Sequence, residues 1–182
     1  MSHAENVPRI YAPGRPGALS YEEYDDQYPQ IFYAIVTVIH TVLPDLQVEH
    51  VGSTAISGLG GRRSLDMVIP AEQARYDEIL AQLLRVGFIN SPFEHFLPML
   101  IGSIQYAGKE YGILLYVLAP DHPVYRGWLT FRSYMRQHPE EVQRYIAVKK
   151  QALASGWTEP GSYQQAKTPY LVNLAQKIGG SP

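Results

Sequence analysis

Apolar positions along this chain follow two rhythms, one with a period near 3.6 and one with a period of two. The switches between them outline the fold. Phe32, Ile35, Val36, Ile39 and Leu43 recur on one helical face, and Pro44-Asp45 stops the run. Ahead of it, Ser20-Tyr21-Glu22-Glu23 has the form of a capping box, so a helix is expected to open there and to break or restart near Tyr28 because of Pro29. Leu46 to Val51 and Ser64 to Ile69 read as strands. Residues 72–86 return to helical spacing, with Tyr76, Ile79, Leu80, Leu83 and Leu84 inward and Gly87 at the end. Phe88-Ile89, Leu97 to Tyr106 and Tyr111 to Leu118 read as strands, the last two joined across a hairpin signal at Ala107-Gly108-Lys109-Glu110. Beyond Pro120 the rhythm is helical over 123–137. A new helix opens at Pro139-Glu140-Glu141, with proline at its first position and acids in its first turn, and closes at Gly156. A last helix runs from Ser162 to about Ile178, with Pro169 placed to bend it. Pro8, Pro13, Gly14, Pro16 and Gly17 make residues 1–19 an extended, largely unpaired, flexible arm. The order of elements predicts an α+β layer arrangement, one domain over residues 20–180 behind that arm.

The chemistry concentrates where the first strand ends. Glu49-His50-Val51 leads into Gly52-Ser53-Thr54, a turn of small residues whose backbone N–H groups and two hydroxyls carry little bulk in front of them. Such a turn approaches a phosphate closely; equally, Ser53 or Thr54 serves as an ordinary cap. Twelve residues on, Asp66 is the lone acid of Leu65-Asp66-Met67-Val68-Ile69. A carboxylate in an apolar strand needs a partner. That partner is either Arg62 or Arg63 in a structural pair, or a magnesium ion whose remaining ligands are substrate phosphates and water. Glu49 is the nearest second acid, but it alternates with His50, so one of the two faces the side of Asp66. His50 is either a ligand or proton carrier, or a core histidine bonded to a neighbouring strand. Arg132 and Arg136 lie one helical turn apart, a spacing suited to clamping phosphate or carboxylate. Tyr111, Tyr116, Tyr125 and Trp128 are available to line an aromatic cleft.

At these residues the sequence resembles the GrpB family, whose fold is similar to that of the nucleotidyltransferase superfamily. The pattern reads here His50, Val51, Gly52, Ser53, Thr54, Gly58, Leu59, Arg62 and Asp66. A second block runs Phe131-Arg132-Ser133-Tyr134-Met135-Arg136-Gln137-His138-Pro139-Glu140 and on to Tyr145 and Lys149; a third is Tyr163 with Lys167. Tyr28-Pro29 with Phe32 fits the family's start to its first helix. The resemblance implies a nucleotidyltransferase-like mixed sheet flanked by helices, with a C-terminal helical segment. It further implies an enzyme that uses ATP or another nucleoside triphosphate with Mg2+ to transfer a nucleotidyl group to, or to adenylate, a small-molecule acceptor. Gly52, Ser53, Thr54, Arg62, Arg136, Lys149 and Lys167 would hold the nucleotide, Asp66 with Glu49 the metal, and Asp66, Arg132 and His50 would serve catalysis. This chain departs from the family where a second acid would follow Asp66, which is Met67-Val68, and where a His-Leu-His strand falls on Leu114-Leu115-Tyr116. The departures spare the phosphate half of the motif and weaken the metal half. A binding protein without catalysis, or a metal-independent enzyme on an organic substrate, is the alternative.

Composition narrows the partners. The 182 residues suit one domain with one substantial core. A formal charge of −2 leaves no general nucleic-acid footprint, and the absence of cysteine excludes disulfides, thiolate metal sites and a cysteine nucleophile. No apolar run approaches the roughly 18 residues of a membrane span, and the polar start Met1-Ser2-His3-Ala4-Glu5 lacks a signal-peptide core. The expected setting is the cytoplasm and the expected partners are a nucleotide and a small-molecule substrate; oligomeric state is not encoded in any motif. His95, beside Glu94 in a proline-flanked loop, is expected to be solvated.

Overall fold

The computed structural model describes residues 8–13, 20–92, 97–157 and 160–179. His95 lies outside them. A mixed sheet carries the molecule: β1 (Ile10–Tyr11), β2 (Glu49–Val51), β3 (Ser64–Pro70), β4 (Ile89–Asn90), β5 (Met99–Tyr106) and β6 (Lys109–Leu118). The order is β1-β5-β6-β3-β2, with β4 also on β5. Only β3 and β6 run parallel among these pairings. Among the described residues five α-helices complete it: α1 (Tyr28–His40), α2 (Tyr76–Arg85), α3 (Pro123–Gln137), α4 (Pro139–Ala154) and α5 (Pro160–Lys177).

The period-two rhythm of β3 divides the molecule. Leu65, Met67 and Ile69 are wholly buried in the main core beneath α1 and α2, with Ile31, Ile35, Ile79 and Leu83. Each such side chain removed from water contributes about 1.5–3 kcal/mol. The opposite face carries Asp66 and Val68; Val68 packs with Val51, Leu118 and Tyr125 of α3. A separate cluster joins α3, α4 and α5 to the loop after β2 through Ile56, Leu59, Met135, Val142, Tyr145 and Leu174. The C-terminal helices therefore rest on the motif loop as well as on the sheet.

Two local expectations change. Residues 20–27 form no helix; α1 starts at Tyr28 with Pro29 in its first turn, where a missing N–H costs nothing. Glu22 instead exchanges backbone bonds with Gly61 (2.7 and 2.9 Å) and its carboxylate meets Arg63, so this segment straps the loop beyond the motif. Within the supposedly unpaired arm, Ile10–Tyr11 adds an edge strand to β5, and Ile10 is buried. Gly87 permits that approach: a Cβ there would stand 2.0 Å from the Ile10 carbonyl oxygen. The β5–β6 hairpin turns on Ala107-Gly108 alone, both at positive φ, the geometry that matches the twist of paired strands.

Candidate functional site

The turn after β2 is shaped by contact with β3. Gly52 has φ +69°, and a Cβ on it would lie 2.3 Å from Asp66 Oδ2, so only glycine lets the chain pass directly over that carboxylate. Ser53 then opens a short 3-10 turn, Ser53–Ala55. Asp66 pairs in register with Val51 on one side and Leu114 on the other, which sets Asp66, Leu114 and, one step along, Tyr116 on one face. The helices close over that face and leave a cavity of about 410 Å3. Its floor is Gly52, Ser53, Asp66 and Leu114; α3 contributes Trp128 and Phe131, α4 Tyr145 and Lys149, and α5 Tyr163 and Lys167, with Arg62 at the edge. The size suits a small-molecule ligand.

Its charge is the opposite of a metal cage. Asp66 is the one acid among the lining residues, against Lys149, Lys167 and Arg62. Lys149 is 2% exposed and its Nζ lies 2.6 Å from both Ser53 Oγ and the Gly60 carbonyl oxygen. Burial pushes its ammonium down to about 7; Lys167 and Arg62 press the same way, and Asp66 opposes them. Lys167 is likewise lowered to about 8, by burial and then by Arg62, and its Nζ sits over the Tyr163 ring at 4.3 Å. Desolvation holds the Asp66 carboxyl above the usual carboxylate range despite Arg62, Lys167 and Lys149. Tyr116 and Trp128 meet at 4.9 Å and form an aromatic wall.

The sequence-derived site residues thus divide. Gly52, Ser53, Arg62, Asp66, Lys149 and Lys167 converge on the cavity; Glu49, His50, Thr54, Arg132 and Arg136 are absent from its lining. Arg132 is turned to Glu49, 2.8 Å from Oε2, and also donates to the His50 carbonyl. Glu49 shares the Asp66 face but stands two residues up the strand, paired with that guanidinium. Arg136 clamps the Ala55 carbonyl through Nε and Nη2. His50 points to the other face with Met67, stacks on Phe32 at 5.0 Å and meets Thr54 Oγ1 at 2.9 Å. Burial, with Arg132 and Arg136, lowers its pKa to about 3, so the imidazole is neutral at physiological pH. Thr54 is buried and donates to the Ser64 carbonyl, tying the turn to β3. Of the proposed aromatic liners, Tyr116 and Trp128 are in place, whereas Tyr111 bonds Asp25 in the main core and Tyr125, on α3, is buried against Val51, Val68 and Leu118. Phe131 and Tyr145, buried or half-buried in the cluster that joins α3, α4 and α5, also line the cavity.

Among the described residues no group of three His, Cys, Asp or Glu side chains is arranged to hold a metal ion. The neighbours of Asp66 across the sheet, Leu114 and Tyr116, stand where the resemblance led one to expect histidines. No helix among the described residues is long and apolar enough to cross a membrane.

Comparison with known proteins agrees with this geometry. A family model described as GrpB protein matches residues 19–177. The UPF0157 protein of Halalkalibacterium halodurans is 27% identical over 167 residues, covering 87% of this chain and 82% of its own. That of Streptomyces coelicolor is 22% identical, covering 97% and 94%. The crystal structure of GrpB from Enterococcus faecalis superposes with a TM-score of 0.72 at 18% identity, over 87% of this chain and 96% of that one. A cytoplasmic RNA terminal U-transferase superposes with a TM-score of 0.55 at 16% identity, over 79% of this chain and 47% of its own. The fold is nucleotidyltransferase-like.

Proposed function

This chain belongs to the GrpB family, and from that premise we propose that it binds a phosphorylated small molecule of the nucleotide class in the cavity above β3. The observation that carries the reading is the convergence of Lys149, Lys167, Arg62 and Ser53 on one cavity that also holds an aromatic wall. Cations in a partly desolvated cavity attract phosphate strongly, and hydrogen bonds to charged groups are worth about 1.5–3 kcal/mol each. Tyr116 and Trp128 offer ring faces to a base. ATP or another nucleoside triphosphate is the leading ligand.

Magnesium-assisted nucleotidyl transfer is the finer expectation of the fold, and the donor set does not support it. One carboxylate, flanked by Leu114 and Tyr116 and facing two lysines, lacks the second acid needed to hold two ions for an in-line displacement. The charge a metal would supply is already provided by side chains. We therefore favour magnesium-independent binding, and no step is routed through a metal. Titration calorimetry with ATP, GTP, CTP and tripolyphosphate, each with magnesium or with EDTA, tests this. Binding that survives EDTA and weakens tenfold or more in Lys167→Ala supports it; no binding by any of them, or binding only with magnesium, rejects it.

A further inference from the structure

Lys149 and Ser53 are brought together from positions 96 residues apart, and the contact has the form of a nucleophile with its base. Their Nζ–Oγ distance of 2.6 Å is within the range such pairs require. The same Nζ lies 2.6 Å from the Gly60 carbonyl, which fixes the amine in place as a third group does in hydrolytic triads. Gly61 keeps the approach open, since a Cβ there would meet Nζ at 3.0 Å. Ser53 faces the cavity, half-buried, with Trp128 and Phe131 as an apolar wall. The geometry points to a Ser53–Lys149 dyad that transfers acyl groups from activated carboxylic esters, a metal-independent activity distinct from anion binding and not dependent on it.

The step balances without a cofactor. Neutral Lys149 takes the Ser53 hydroxyl proton as Oγ bonds to the ester carbonyl carbon. The bond to the leaving oxygen then breaks, and the Lys149 ammonium returns the proton to that oxygen. Water, giving a proton to the freed amine, attacks the acyl-serine; the proton passes back to Oγ as the carboxylic acid leaves. Lys167 and Arg62 supply positive charge to the developing oxyanion from the same cavity. The groups facing Lys149 are Asp66 on β3, Arg62 on the loop, Tyr145 on α4, and Tyr163 and Lys167 on α5. With burial dominating them, Lys149 is lowered to about 7, so a working fraction of free amine exists at neutral pH.

A fluorophosphonate probe reads the nucleophile directly, because Oγ bonds to phosphorus, fluoride leaves and the serine proton passes to Lys149 and then to solvent. The expected result is one label per chain, mapped to Ser53 by mass spectrometry and absent from Ser53→Ala. The rate should rise about tenfold from pH 6 to pH 8, following the free amine, and fall at least tenfold in Lys149→Arg, which keeps charge but cannot serve as base. No label, a label elsewhere, or a Ser53 rate flat with pH overturns the dyad. Lys149 would then serve the cavity only as an anion-holding group. Should Lys149→Arg fail to fold, the wild-type pH profile decides alone.

Discussion

Anion binding in this cavity should draw protons from solution, and the amount follows from the two lysines. Lys149 at about 7 is roughly one-tenth protonated at pH 8, and Lys167 at about 8 is about half protonated. A phosphate chain seated beside both favours their charged forms. Charging them fully takes up about 0.9 proton at Lys149 and about 0.5 at Lys167, about 1.4 in all. The sign is fixed: affinity for ATP in EDTA should fall as pH rises through 7 to 9, with a local slope near 1.4 log units per pH unit at pH 8. At pH 6 both lysines are already charged and their share of the uptake should drop to roughly 0.1. Asp66, held above the ordinary carboxylate range by desolvation, contributes in the same direction, and an Asp66→Asn variant isolates the share of the lysines. Calorimetry in Tris and in HEPES at equal pH measures the effect, since the difference in heat divided by the difference in buffer ionisation heat gives the protons exchanged. Lys149→Met should remove the larger part. Intact binding at pH 8 with no buffer dependence would refute the electrostatic reading of the cavity.

Arg132→Ala should lower stability in urea denaturation by about 1–3 kcal/mol, because Glu49 and the His50 carbonyl lose their partner, and should leave ATP affinity within twofold of wild type. A tenfold affinity loss would return Arg132 to the ligand. Gly52→Ala should cost at least about 1–3 kcal/mol in the same assay, because a Cβ at φ +69° also runs into Asp66; a neutral effect would mean the turn is not held as described. His50 is lowered to about 3 when folded, against an ordinary value near 6.5, so the unfolded chain binds more protons between those limits. Stability should therefore fall as pH drops from about 6.5 towards 3. His50→Gln should flatten that limb in melting curves recorded across the range, and an unchanged slope would contradict it.

Much of this protein is local and was readable as such. Periodicity located β3, β5, β6 and the five described helices to within a few residues, since the apolar run of β3 or the spacing of Ile35 and Ile39 depends only on the geometry of one element, although the fully buried Ile31 is not among the residues it picks out. The same logic singled out Gly52 and Asp66, one for its freedom of φ and the other as an acid among apolar neighbours. Even locally the signals compete. Ser20-Tyr21-Glu22-Glu23 has a capping pattern, but Glu22 gains more from bridging Gly61, a partner that exists only in the folded chain.

What each charged group does was decided by tertiary structure. Arg132 and Lys149 look alike in sequence, basic residues on amphipathic helices, and the helical face gives a direction from the axis but not what waits there. Across from Arg132 lies a carboxylate on β2, which neutralises it; across from Lys149 lie a hydroxyl, a carbonyl and a second lysine, which do not. A pKa near 7 arises from burial by β3, the motif loop, α4 and α5 at once, and no window of sequence contains them together.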